Sequence, residues 1–241
     1  MLYKEAIKTI KNSKNLIAFT GAGISVESGI PTFRGENGIW NKYDPQILDI
    51  DYFKNYPKEC WQKIKEIFYD YMRDVKPNDA HKFLAFLENE GILKATITQN
   101  IDGLHQAAGS KKVIEFHGTT KTLVCLGCGR RYPSTKISLS DLPPICSKCG
   151  SVLKPDFIFF KEPIPSDAYR QSYEYMQKAD LLLIIGTTGE IMPASEFPYL
   201  CKGKVIEINP EPSKYTQTKT DIFLQDKATI AAKKLKELFI P

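Results

Sequence analysis

Four of the six cysteines form two C-x-x-C pairs, Cys125/Cys128 and Cys146/Cys149, with 17 residues between the pairs. That spacing suits a four-cysteine zinc ribbon, whose thiolates fill a tetrahedral shell and leave no position open for water. Gly129 and Gly150 follow the pairs and suit tight knuckles around a metal. One structural zinc ion is expected; a redox pair or two disulfides are the competing uses of such cysteines. Cys60 and Cys201 stand apart and read as buried thiols. Three histidines occur, His81, His105 and His117. His117 is the candidate general base, because it ends an apolar strand and precedes Gly118, which leaves its ring unobstructed. His81 and His105 lie on helices and read as structural.

The stretch from Leu16 to Gly35, LIAFTGAGISVESGIPTFRG, offers a different chemistry. An apolar run is followed by Gly21-Ala22-Gly23, and Ile24 to Glu27 can begin a helix with Ser25 near its start. Strand, glycine turn and helix start are what a pyrophosphate needs, so a dinucleotide cradle is expected. The usual G-x-G-x-x-G fingerprint is incomplete, since Val26 replaces the third glycine and no acidic residue ends a second strand about 20 residues on.

These residues must be positioned by something. Apolar, β-prone runs at Leu16–Phe19, Lys94–Thr98, Val113–Phe116, Phe157–Phe160, Leu181–Ile185 and Lys204–Ile208 alternate with helical patterns. The helices are expected at 4–12, from Asn78 to Asn89, after Asp102 to Gly109, at 167–178 and at 228–239. Such alternation predicts an α/β fold, a Rossmann-like parallel sheet with helices on both faces, and ligands beyond the carboxyl ends of the strands. Polar or glycine-rich clusters follow Thr20, Thr98, Phe116, Ile185 and Ile208. They hold Ser25, Arg34, Gln99, Asn100, Asp102, His117, Thr187, Asn209 and Glu211, which points to one site built by the sheet. Between Glu36 and Val75 the chain is aromatic-rich, and Lys58–Arg73 has helical spacing, a pattern that suits helices capping a core or roofing a pocket.

With 241 residues, 42% hydrophobic and 25% charged, the composition is that of a globular protein of one or two domains. No apolar run approaches the ~20 residues of a membrane span, and Met1–Lys14 lacks the features of a signal peptide. A cytoplasmic location is expected. The net charge of +5 is unclustered, so nucleic acid is not the expected partner.

GAGISVESGIPTFRG, TQNIDGLHQAAG, EFHG, the two C-x-x-C pairs, GTT and INPEPS occur in the order seen in sirtuins, the NAD-dependent protein lysine deacylases, and the chain resembles that family from about residue 4 to 238. The resemblance implies NAD as co-substrate, acylated lysine in proteins or peptides as substrate, and nicotinamide and O-acyl-ADP-ribose as products. It implies that Gly21, Ala22, Gly23 and Ser25 contact phosphate and ribose. Thr32, Phe33 and Arg34 resemble a cofactor loop, and Gln99, Asn100, Ile101 and Asp102 a nicotinamide pocket in which Asn100 and Asp102 act in catalysis. His117 resembles the base, while Gly186, Thr187, Thr188, Asn209, Glu211 and Ala228 resemble adenosine-side contacts. The implied domains are a Rossmann-like domain (1–35, 76–118 and 155–241) and a small domain made of a helical module (36–75) and a zinc-ribbon module (119–154). A monomer is expected.

Three departures from the family pattern bear on substrate choice. Family members that remove succinyl or malonyl groups carry Tyr-x-x-Arg; here Tyr69 and Met72 occupy those places, with Arg73 turned about 100° away if the segment is α-helical. An apolar Met72 favours acetyl or longer neutral acyl groups. Phe160-Lys161-Glu162 stands where many members have Phe-Gly-Glu, in the segment that pairs with substrate, and Gly189-Glu190-Ile191-Met192 follows GTT where apolar residues are commoner. A mono-ADP-ribosyltransferase on the same fold, a non-catalytic NAD or ADP-ribose sensor, and a zinc-ribbon nucleic-acid binder are the alternative functions.

Overall fold

The computed structural model describes residues 1–35, 38–72 and 74–240. In chain order the strands are β1 (Leu16–Thr20), β2 (Leu93–Thr98), β3 (Val113–Glu115), β4 (Gly118–Cys125), β5 (Arg131–Pro133), β6 (Leu153–Phe157), β7 (Leu181–Ile185), β8 (Lys204–Ile208) and β9 (Ile222–Leu224). The α-helices are α1 (Leu2–Asn12), α2 (Ile50–Asn55), α3 (Pro57–Ile64), α4 (Asp79–Asn89), α5 (Leu104–Ala107), α6 (Ser166–Lys178), α7 (Lys214–Thr218) and α8 (Ala228–Phe239).

Six strands form one parallel sheet in the order β3-β2-β1-β7-β8-β9. From β1 the chain winds outward to β2 and β3, then returns to β7 and winds the other way. The order therefore reverses between β1 and β7, where doubly wound sheets open a crevice for ligands. Alternation along the strands builds both faces. Leu16 and Ala18 of β1, with Leu181, Leu183 and Ile185 of β7, pack under α1, α4 and α8. Ile17, Phe19, Leu182 and Ile184 face the other side, against Met176 of α6 and Phe197. Each such buried Leu, Ile or Phe contributes roughly 1.5–3 kcal/mol.

A second, antiparallel sheet of order β5-β4-β6 carries the cysteines. It shares a core with the helical module: Phe53, Trp61, Ile64 and Phe68 pack with Leu123, Cys125, Leu153, Phe157 and Phe159. Trp61 Nε1 donates to the Leu153 carbonyl at 2.7 Å, fixing α3 against β6.

Several expectations are corrected. The segment after the glycine turn is a 3-10 helix over Ala22–Ser28, and the amides at its start bond to the end of β7 and the turn after it, Gly21 N–H to Ile185 C=O and Gly23 N–H to Gly186 C=O. The β-prone run at 157–160 is not a strand of the main sheet. Instead β6 begins at Leu153, includes Pro155 at the edge of the small sheet, and crosses the boundary expected at 154/155. Proline is tolerated there because an edge strand has one side without ladder bonds. The single helix expected over 58–73 is α3 followed by a π-helix at Lys65–Asp70, where Tyr71 N–H bonds to Glu66 C=O, five residues back. A rotation of 100° per residue therefore does not apply to Met72, and Arg73 lies outside the described residues. Helix α7 and strand β9 had no counterpart in the sequence reading. Among the described residues no helix is long and apolar enough to cross a membrane.

Candidate active site

The turns that leave the strands are stitched to one another by backbone hydrogen bonds. Phe116 N–H donates to Thr98 C=O at 2.8 Å, Gln99 N–H to Thr20 C=O at 2.9 Å, Gly21 N–H to Ile185 C=O at 3.0 Å, and Gly186 N–H to Ile208 C=O at 3.1 Å. The ladder thus runs one residue past each strand end, and five turns form a continuous rim.

At the reversal of strand order the glycine turn meets the turn after β7. Gly23 N–H donates to Gly186 C=O at 2.8 Å. A Cβ on Gly23 would lie 2.6 Å from Gly186 Cα, and Gly186 itself has φ +66°. The sequence suggested that these glycines admit a ligand; they are equally required for two turns to interlock. Gly21 and Gly23 amides are committed to that contact, so Ser25 and the neighbouring side chains carry the remaining polar capacity.

Ser25 is the centre of that capacity. Its Oγ donates to Asp102 Oδ2 at 2.7 Å and accepts from Asn100 Nδ2 at 3.1 Å. Asp102 also accepts the Leu104 amide. Burial raises the Asp102 carboxyl above its ordinary range, opposed by the Leu104 amide and the Ser25 hydroxyl. His117 Nδ1 lies 3.0 Å from Gln99 C=O. A carbonyl can only accept, so Nδ1 carries the proton and Nε2 presents its lone pair. Burial lowers the His117 pKa, against the upward pull of the Gln99 carbonyl, which favours the neutral ring. Gln99 Nε2 in turn donates to Thr187 Oγ1 at 3.1 Å, and Asn209 Nδ2 to Thr187 C=O at 3.1 Å. Ser25, Asn100 and Asp102 form one hydrogen-bonded group and His117, Gln99, Thr187 and Asn209 another, joined through the Gln99–Asn100 peptide bond, and all seven are candidates from sequence.

Other candidates sit at its margins. Thr188 and Glu211 are exposed beyond β7 and β8. Ala228 opens α8, where the next amide, Thr229 N–H, donates to Glu27 of the 3-10 helix at 2.9 Å. Thr32 Oγ1 donates to Arg34 C=O, curling the loop, and Arg34 is exposed. The Phe33 ring lies 5.6 Å from Trp40, which lies 6.4 Å from Phe160, so an aromatic row links this loop to the segment after β6. Ile101 is buried and its carbonyl accepts from Thr120. Tyr69 spends its hydroxyl on Thr120 C=O at 3.1 Å, and Met72 is half-buried against the small-lobe core. Phe160 is 45% exposed and Lys161 is exposed.

The sequence reading missed two buried polar clusters. One continues inward from Ser25: His81 Nε2 lies 3.4 Å from Ser25 Oγ, its ring meets His105 edge-on at 4.9 Å, and His105 Nε2 bonds to Thr20 Oγ1. Burial pushes the His81 pKa down to about 4, and burial together with His81 pushes His105 well below its ordinary value. Both rings are buried beneath the rim, His81 within reach of Ser25 and His105 on Thr20. The other cluster surrounds Glu207, 0% exposed, which accepts from Asn209, Ser213, Thr216 and Thr220. A lone acid within the apolar run KVIEI was the available signal.

The four cysteine sulfurs of the knuckles lie within 4.8 Å of one another and are placed to bind one metal ion, consistent with structural zinc. Cys60 and Cys201 are buried and remote from that cluster in sequence.

Residues 21–193 match the Sir2 family. This chain belongs to that family. The NAD-dependent protein deacylase of Pyrococcus furiosus is 46% identical, with 97% of this chain and 96% of the relative covered. Among solved structures, a Sir2 protein with a p53 peptide and NAD+ superposes with TM-score 0.90 at 35% identity, covering 98% of both chains. A Sir2 variant with a deacetylated p53 peptide and 3'-O-acetyl ADP-ribose gives TM-score 0.91 at 36% identity, again covering 98% of both. In this chain Val26 stands where the G-x-G-x-x-G fingerprint has its third glycine, and the turns after β1 and β7 interlock at Gly23 and Gly186.

Proposed function

We propose that this Sir2 chain removes acetyl or longer neutral acyl groups from protein lysines with NAD as co-substrate. The observation that carries this reading is the neutral His117, whose Nδ1 is fixed on Gln99 C=O and whose Nε2 is free, at the rim that also holds Ser25, Asn100 and Asp102. Binding alone needs no base. The donor set fits NAD: neutral amides and hydroxyls (Ser25, Gln99, Asn100, Thr187, Thr188, Asn209) line the point where the strand order reverses, Glu211 stands exposed to take ribose hydroxyls, and Gly21, Ala22, Gly23, Gly186 and Ala228 add no bulky side chain to the rim. NAD supplies the ADP-ribosyl group that accepts the acyl chain when nicotinamide leaves.

The chain's own groups then have distinct tasks. Asn100 and Asp102, held on Ser25, orient the nicotinamide amide, and Ile101 forms the wall of its pocket. Thr32, Phe33 and Arg34 cover the reacting sugar, with the Phe33 ring excluding water. His117 Nε2 takes a proton from a ribose hydroxyl, and the resulting charge is shared with the Gln99 carbonyl through Nδ1. Tyr69 and Met72 border the acyl group, and Phe160 and Lys161 border the peptide. Met72 offers no charge to a succinyl carboxylate. The Rossmann-like part, with β6 given to the small sheet (1–35, 76–118 and 158–241), carries the cofactor, and the small lobe of helical and zinc modules completes the cleft.

Replacing His117 with Ala tests the reading. NAD-dependent release of acetyl from an acetyl-lysine peptide should be lost while NAD binding by calorimetry persists. Full activity in that variant would overturn the base assignment, and label from NAD appearing on protein instead of on O-acetyl-ADP-ribose would favour a transferase.

A further inference from the structure

The segment Ile158–Glu162 leaves β6 beside the candidate base, because Ile158 N–H donates to His117 C=O at 2.9 Å. Two anchors then hold it. The inner one is buried: Lys154, 3% exposed, donates to the Pro155 and Phe157 carbonyls and pairs with Glu162 at 3.0 Å. The same Glu162 carboxylate accepts the Phe159 amide at 2.7 Å. The outer anchor joins the segment to the helical module. Phe160 N–H donates to Leu48 C=O at 2.7 Å and Phe160 C=O accepts from Ile50 N–H at 3.4 Å.

One residue of the segment contradicts its own backbone. Lys161 has φ +72°, the only non-glycine residue with positive φ among the described residues. Glycine is favoured in that region, and a side chain there is strained. The Lys161 ammonium reaches Asp49 at 2.8 Å and Asp51 at 3.1 Å, at the start of α2. A long side chain is kept where the backbone favours none, and its charged end is directed across to the other wall.

We propose that Lys161 is a positioning residue for the peptide substrate: by bridging to Asp49 and Asp51 it draws the Ile158–Glu162 segment against the helical module and so fixes the cleft wall beside His117. The proposal rests on the deacylase reading, in which Phe160 and Lys161 border the peptide. The bridge is exposed, so its effect is modest and salt-sensitive.

The test uses the full chain, saturating NAD and an acetyl-lysine peptide with uncharged flanks. In Lys161→Ala the peptide KM should rise about three- to fivefold at low salt, with kcat and the NAD KM within about twofold. Parent KM should climb toward that value between ~0.05 and ~0.5 M salt, whereas the variant should be indifferent. Asp49→Asn/Asp51→Asn, which retains a capping side chain at position 49, should reproduce the effect, and Lys161→Arg should rescue it. Lys161→Gly should raise the peptide KM although its melting temperature equals or exceeds that of Lys161→Ala, because glycine relieves the left-handed strain. A purely structural role would not separate the two readouts. A parental peptide KM in Lys161→Ala overturns the proposal. So does a raised KM in Lys161→Ala that the aspartate variant fails to reproduce, since Lys161 would then touch the peptide directly. Hydrogen exchange at the Phe160 amide reads the clamp without turnover: it should be faster in Lys161→Ala, and equal rates overturn the proposal. Absence of NAD-dependent turnover in the parent sinks the deacylase reading alone.

Discussion

The rim of the parallel sheet and the small lobe rely to different degrees on main-chain and side-chain bonds. On the rim, main-chain bonds link each strand-end turn to the next, from Phe116 across to Ile208. Side chains such as Gln99 and Ser25 are placed by a backbone lattice that the sheet itself imposes. In the small lobe a short antiparallel ladder and the bonds between Phe160 and Leu48 and Ile50 are supplemented by side chains that join pieces distant in sequence: Trp61 on Leu153, Tyr69 on Thr120, Lys161 on Asp49, and four cysteines around one metal position. A lattice of main-chain bonds tolerates the loss of one side chain. An assembly of side-chain contacts does not, and it can be tuned residue by residue, which suits the wall that meets varied peptides.

The largest expected effect is metal removal. Among the described residues, the small sheet and its knuckle give the shared core Leu123, Cys125, Cys146, Leu153 and Phe157 as buried side chains, with Tyr132 and Val152 partly buried against them and most of the remainder from the helical module. A structural zinc site can supply on the order of 10 kcal/mol of folding free energy, as much as those side chains together, so its loss removes about half of what holds the small sheet. Both tryptophans, Trp40 and Trp61, pack in this lobe. Chelation should therefore shift tryptophan emission to the red and abolish turnover, while much of the far-ultraviolet dichroism of the parallel sheet and its helices remains. Simultaneous loss of both signals would show that the two regions do not differ in this way.

Glu207 tests the rim from the inside. Its carboxylate gathers Asn209, which reaches Thr187, together with the cap of α7 at Ser213 and the hydroxyls of Thr216 and Thr220. Here side chains organise the rim around a buried carboxylate. Glu207→Ala leaves those donors buried without an acceptor and should cost about 3–5 kcal/mol in urea unfolding. Glu207→Gln keeps one oxygen and the volume and should cost about 1–2 kcal/mol. Equal, small losses would mean that main-chain bonds suffice there as well.

The same contrast decides what the sequence made legible. Strands β7 and β8 and helix α8 have the bounds read from their apolar runs, because burial by a parallel sheet or by one helix face leaves a periodic trace. The rim residues were legible for the same reason: a polar cluster after a buried strand has one place to go. Where side chains decide, the trace vanishes. Helix α7 is five residues long and depends on Glu207, β9 is a three-residue edge, and Pro155 disguised β6. The π-helix at Lys65–Asp70 changes the facing of Tyr69 and Met72 without any change in hydrophobic spacing. Lys161 could be seen as a departure from glycine, but not its two aspartate partners.

A smaller, pH-dependent effect belongs to the histidines beneath the rim. Burial holds His81 at about 4, below its ordinary 6.5. Below pH 6.5 the unfolded chain takes up a proton that the folded chain refuses, so stability falls as pH drops and levels off once His81 itself is protonated near pH 4. That difference corresponds to on the order of 3 kcal/mol across the window, with His105 acting in the same direction. Urea midpoints should fall steeply from pH 7 to 4, and His81→Gln should flatten the slope. An unchanged slope would place the acid-sensitive groups elsewhere.

The smallest effect concerns a surface contact that looks structural. Arg131 Nε bonds to Asp156 Oδ2 at 2.7 Å, linking β5 to β6 across the small sheet, but the arginine side chain is 66% exposed. Solvent screens such a pair, and immobilising arginine costs side-chain entropy, so the net contribution is about 0.2–1 kcal/mol and declines with salt. Arg131→Ala should accordingly lower stability by about 0.5 kcal/mol and leave the tryptophan emission maximum unchanged. The three strands are registered by β4 and by the cysteines at the knuckles, and these remain intact in the variant. A loss well above 1 kcal/mol would mean that surface charge, and not the metal, keeps β5 in place, and the account of how the small lobe is held would have to be rebuilt around Asp156.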